Sequence, residues 1–158
     1  SDESRGLGDV YKRQFQDTIE KVVALAVLMP IVASMGGIAG TQSLTVLIRA
    51  MAMGQINDRT EIWLVRREIL VSLINGLLWA AVIAVIASYW FSDIRLGMII
   101  AFAIVINLIT AGIAGASLPL LLDRLDIDPA LAGGVVLTTI TDVVGFFAFL
   151  GLAAYFYG

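Results

Sequence analysis

Four long apolar stretches, separated by short polar connectors, dominate the chain. Val22 to Ile48, Ile69 to Trp90 and Gly97 to Leu122 carry no charged residue, and Ala130 to Phe156 is charge-free apart from Asp142. Each is long enough to cross the ~30 Å hydrocarbon core of a bilayer, which takes about 20 apolar residues in an α-helix. The runs lack the strict alternation of barrel strands, and an open sheet would leave backbone groups unpaired in lipid. The pattern predicts an all-α integral membrane protein with four transmembrane helices, a multi-pass protein of a cell's inner or plasma membrane.

The connectors read GQINDRTEIWLVRRE, SDIR and DRLDID, the last followed by Pro129. Arg49, Arg59, Arg66 and Arg67 at the first outnumber Arg95 at the second, so the first connector is expected on the cytoplasmic side, the second outside, and the third, with Arg124, inside again. Trp63, Tyr89, Trp90, Tyr155 and Tyr157 fall near helix ends, where interfacial anchors belong. Residues 54–68 are expected to be a short amphipathic helix in the headgroup region, with Ile56, Ile62, Trp63 and Val65 on its apolar side, or a solvated loop. The first fourteen residues, SDESRGLGDVYKRQ, are polar and lack the parts of a signal peptide. They are expected outside the fold, as a disordered tail or translated cloning sequence, leaving residues 15–158 as the membrane domain.

Composition narrows the chemistry. Apolar residues make up 59% and charged residues 15%, against roughly 25% charged in soluble domains. With neither Cys nor His, disulfides, zinc-thiolate sites and Cys nucleophiles are excluded, and any metal must be held by oxygen. The net charge of -3, with no basic run interleaved with aromatics, gives no nucleic-acid surface.

Asp142 is then the informative residue. At 1.5 Å rise per residue it lies about 18 Å beyond Ala130, near the middle of the bilayer. Exposure to lipid there would cost at least about 2.5 kcal/mol, so the carboxylate should face protein, water or a cation. Thr138, Thr139 and Gly145 are placed to share its side of the helix. On the first helix, PIVASMGGIAGTQSLT combines Pro30 with Gly36, Gly37 and Gly40, then Thr41, Gln42, Ser43 and Thr45. Proline frees backbone carbonyls, and broken backbone survives in a membrane only beside protein or water. Ser34, Thr41 and Thr45 share one face and are expected to line a pore, whereas the glycines suit pore lining and close helix packing equally. Asn107 and Asn75 are expected to make interhelical hydrogen bonds, and AGIAGAS, residues 111–117, to be a packing face.

A single carboxylate among hydroxyls, amides and carbonyls suits a hard cation. Mg²⁺ fits best because it keeps much of its water shell and binds through one or two carboxylates; Mn²⁺, Co²⁺ and Ca²⁺ belong to the same class. Two copies across a two-fold axis would pair their carboxylates around a hydrated ion, which suggests a homodimeric pore.

These residues resemble the MgtE family of magnesium channels. The matching stretches are FQDTIEKVVALAVLMPIVASMGG with AGTQSLTVLIRAMAMGQI, then LVRREI, then DPALAGGVVLTTITDVVGFFAFLGLA. The resemblance covers the chain from about Phe15 onward. It implies a homodimer with the ion path on the two-fold axis, lined by the helices of residues 22–48 and 130–156. Asp142 of each subunit would bind hydrated Mg²⁺ with help from the Thr138 backbone carbonyl, and Gly36, Gly37, Ile38 and Gln42 would join the lining. The family typically has Asn where this chain has Ile38. It also has one more helix, expected before Phe15, and cytoplasmic regulatory regions with paired cystathionine-synthase-like modules that this sequence does not contain.

Three other readings remain open on the sequence. A secondary transporter could bind H⁺ or Na⁺ at Asp142 and couple it to another substrate. A purely structural membrane module would keep Asp142 neutral and bonded to a partner helix. An enzyme is disfavoured, because one acid within the spans and no His or Cys leave no nucleophile-base pair.

Overall fold

A computed structural model describes residues 2–157, with side chains at 6–9, 23–57 and 59–156. Among the described residues the chain is helical and has no strand: α1 is Asp2–Ala52, α2 Asp58–Phe91, α3 Ile94–Arg124 and α4 Pro129–Tyr157. All four contain stretches long and apolar enough to cross a membrane, at Val23–Ala52, Arg59–Phe91, Ile94–Arg124 and Pro129–Phe156. The chain is thus that of a multi-pass membrane protein, with four such helices among the described residues. α1 continues on the N-terminal side of the apolar run that begins at Val22. Most of the stretch expected to form a tail, and the Tyr157 anchor, have side chains outside the described residues.

The turns explain the hairpin order. Ser92 takes the left-handed conformation (φ 52°), and the Asp93 carboxylate accepts from the Arg95 and Leu96 amides to start α3. Asp126 is also left-handed (φ 59°). Asp128 then accepts from the Ala130 amide at 3.0 Å, ahead of α4, whose first residue is Pro129, where its missing N–H costs nothing. Connections this short force α2, α3 and α4 to run antiparallel in sequence.

One expected boundary is wrong. Residues 58–68 form the first three turns of α2 rather than a separate surface helix or loop. Asn57 starts the helix with a capping box: its side chain accepts from the Arg59 and Thr60 amides, and the Thr60 hydroxyl accepts from the Asn57 amide at 2.8 Å. No proline follows to interrupt the helix before Phe91. Trp63 remains exposed beneath the Arg67 guanidinium, 5.4 Å from its ring.

α3 is the hub. It packs against all three other helices and α4 also packs on α1, whereas α1 and α2 barely touch. Small residues make the close approaches possible, as lipid-immersed helices require. Ala111, Gly112, Gly115 and Ala116 are buried, the packing face expected of AGIAGAS. A Cβ on Gly115 would stand 2.6 Å from the Gly40 carbonyl oxygen, so only glycine permits this crossing of α1 over α3. Val32, Ile99, Ile100, Ile104 and Phe149 fill the interior. Leu70, Ile74, Leu77, Val85 and Ile86 on α2 face outward, the surface that acyl chains cover.

Candidate ion-binding site

Asp142 lies thirteen residues from the start and fourteen from the end of its span. This is the middle of the helix segment that can cross the bilayer. Its carboxylate is exposed, on the wall of an open groove of about 630 Å³ between α1 and α4. The groove is lined by Pro30, Ala33, Ser34, Gly37, Ile38, Thr41 and Gln42 from α1 and by Thr138 and Asp142 from α4. Gly37 and Ile38 are themselves at the midpoint of their span. The structure thus brings the acid and the polar stripe of α1 to one depth on one face.

Not every residue expected there is there. Gly36 is buried on the opposite side of α1, where a Cβ would run into the Asn107 amide, and Gly145 faces the same amide from α4. Both are packing residues rather than groove lining. Successive helical residues differ in direction by about 100°, so Gly36 and Gly37 cannot share a face. Gly37 is the open one: a methyl added there would meet nothing within 4 Å. Thr45 lies in an adjoining hollow with Thr41, Gln42, Val46 and Arg49, and Thr139 in another with Thr138, Gly134 and Val135. These two hollows extend the polar strip along both helices. Ile38 sits on the rim, 63% exposed, where the groove meets a second, apolar crevice between α1 and α2.

The hydroxyls are held in a particular way. Thr41 donates to the Gly37 carbonyl, Thr45 to Thr41 and Thr139 to Val135, each at 2.8 Å. Back-bonding uses each hydroxyl proton on its own helix and leaves the oxygen as an acceptor. Water bound to a divalent cation is a strong donor and needs acceptors. The carbonyl of Thr138 is already engaged by the buried Thr141 hydroxyl at 3.1 Å, which leaves the Thr138 side-chain hydroxyl as its freer oxygen. Among the described residues no three of His, Cys, Asp and Glu gather to cage a bare metal ion. The lining therefore suits an ion that keeps its water. Six waters at ~30 Å³ each occupy about 180 Å³, well within the groove.

From the sequence, Glu68 belongs with the connector charges and Asp142 is the lone acid of the spans; the structure corrects both. Glu68 is buried where α1, α2 and α3 meet, accepting from the Ser43 hydroxyl at 2.9 Å. Ser72 is buried one turn further on, against Gly112. A four-residue period of small or polar positions, Glu68, Ser72, Gly76 and Ala80, is the sequence signal that marks this buried stripe.

Residues 29–152 match the MgtE family, described as a divalent cation transporter. The chain is 35% identical over 142 residues to a magnesium transporter MgtE of Bacillus subtilis, covering 90% of this chain and 32% of that protein. A protein of the same name from Enterococcus faecalis is 30% identical over 142 residues, covering 90% and 31%. One from Thermus thermophilus is 34% identical over 139 residues, covering 88% and 31%. The chain spans about a third of the length of the curated relatives it matches.

Proposed function

Because the chain belongs to the MgtE family of divalent cation transporters, we propose that it forms a path for Mg²⁺ uptake across the membrane, with Asp142 as the electrostatic site for the hydrated ion. The observation that carries this reading is the placement of Asp142 at mid-span, open to a groove whose other wall is the stripe of α1 from Ser34 to Gln42. The relatives are named as magnesium transporters, and the chemistry of the groove agrees. Mg²⁺ gives up its water reluctantly, so a path that supplies one carboxylate and several acceptor oxygens can hold the ion without stripping it.

In a single protomer the groove opens sideways, toward where lipid would lie. A carboxylate facing acyl chains is unfavourable by at least about 2.5 kcal/mol. A second copy, with its own groove facing the first across a two-fold axis, closes the path and adds a second Asp142. Two carboxylates then balance the ion's double charge. Ser34, Thr41 and Gln42 line the same path, Thr45 and Thr139 continue it, and the membrane potential drives the cation inward. Growth of a magnesium-transport-deficient host on limiting Mg²⁺ tests this. The chain should restore growth and its Asp142→Asn variant should not; equal growth of the two removes Asp142 from the mechanism.

A further inference from the structure

We propose that Asn107 is a positioning residue for the ion site: its amide, wedged between Gly36 of α1 and Gly145 of α4, sets the separation of the two helices that line the groove. This rests on the groove being the ion path.

Asn107 is fully buried at the middle of α3, directly behind the groove. Its Nδ2 donates to the Val32 carbonyl of α1 at 2.9 Å. A Cβ on Gly36 would overlap this amide, and one on Gly145 would stand 2.9 Å from Nδ2. Two backbones therefore close on the amide from two sides. Gly36 is next to the groove-lining Gly37 and two residues from Ser34, while Gly145 is three residues, less than one turn, from Asp142. Moving the amide moves both walls of the site.

Packing alone gives no reason for an amide here. Among the described residues its Oδ1 has no hydrogen-bond partner, and a half-satisfied polar group in a low-dielectric interior is worse than an apolar one of the same shape. Leucine branches at the same carbon as asparagine and leaves nothing unpaired. What leucine lacks is the donor that fixes α3 to the Val32 carbonyl, and with it a defined spacing of α1 from α4. Sites of this kind lose function when their supporting residues let them relax by about 1 Å.

The test is saturable Mg²⁺ influx into vesicles carrying the parent chain, Asn107→Leu and Gly145→Ala, with Gly145→Ala repeated in an Asn107→Ala background. Asn107→Leu should melt no lower than the parent yet raise the half-saturating Mg²⁺ concentration about fivefold, less than the roughly 10–100-fold typical of a direct outer-shell partner. Gly145→Ala should act in the same direction, and its effect should largely vanish when residue 107 is alanine. Unchanged half-saturation in Asn107→Leu overturns the proposal, as does a Gly145→Ala effect that ignores the residue at 107. Those outcomes leave parent influx intact; a parent chain without Mg²⁺ influx speaks instead against the reading of the groove and takes this inference with it.

Discussion

Ser43 of α1 donates its hydroxyl to the buried carboxylate of Glu68 on α2 at 2.9 Å, and this bond joins two helices that otherwise barely touch. α1 carries the polar stripe, so its C-terminal half is held from behind by an acid that is not part of the groove lining.

Ser43→Ala should destabilise the fold by about 1–3 kcal/mol, because a buried acceptor loses its donor. Glu68→Gln keeps an acceptor oxygen for Ser43 and should be milder. Thermal unfolding in detergent ranks the two variants, and equal melting would show that the bond contributes little.

Gly115 and Gly151 form a matched pair. A methyl on Gly115 meets the Gly40 carbonyl and Ser43, and one on Gly151 meets nothing within 4 Å. Gly115→Ala should force α1 from α3 at a cost of about 1–3 kcal/mol. Gly151→Ala should be neutral or more stable by up to ~1 kcal/mol through helix propensity. Melting temperatures of the two variants check both signs.

Ile38 presents an apolar side chain at the rim of the groove, at mid-span. Ile38→Asn supplies an acceptor for an ion-bound water. One net hydrogen bond, roughly 0.5–1.5 kcal/mol, should lower the half-saturating Mg²⁺ concentration by about two- to tenfold. Influx kinetics measure this, and thermal stability should stay put because the side chain is outside the core.

The Arg124–Glu61 pair, 2.8 Å apart, ties the end of α3 to the start of α2, with the Arg124 side chain 70% exposed. Exposed pairs contribute about 0–1 kcal/mol. Arg124→Ala should therefore change stability by less than ~1 kcal/mol, and the remaining effect should shrink further at high salt.

Much of this was legible in the sequence because a membrane makes simple demands. Charge-free runs of spanning length marked the four helices, and a lone Asp142 at mid-span marked the polar wall of α4. Ser34, Thr41 and Gln42 marked its counterpart on α1. What the sequence hid depends on contacts far apart along the chain. Which of Gly36 and Gly37 faces inward is fixed only when α3 docks and claims one of them. Glu68 follows Arg66 and Arg67, which stay exposed, and nothing local tells that the next carboxylate turns inward toward Ser43. Residues 58–68 looked like a surface segment because charge hides helix continuity, although Asn57 and Thr60 carry the spacing of a helix start.

The most direct measurement is Mg²⁺ influx into protein-containing vesicles at a clamped, inside-negative potential, with no counter-ion gradient, for the parent chain and Asp142→Ala. Influx by the parent that depends on the potential, and its loss in an Asp142→Ala protein that melts normally, is the predicted result. Undiminished influx through Asp142→Ala, or parent influx that requires an opposing H⁺ or Na⁺ gradient, would contradict a carboxylate-centred conduction path.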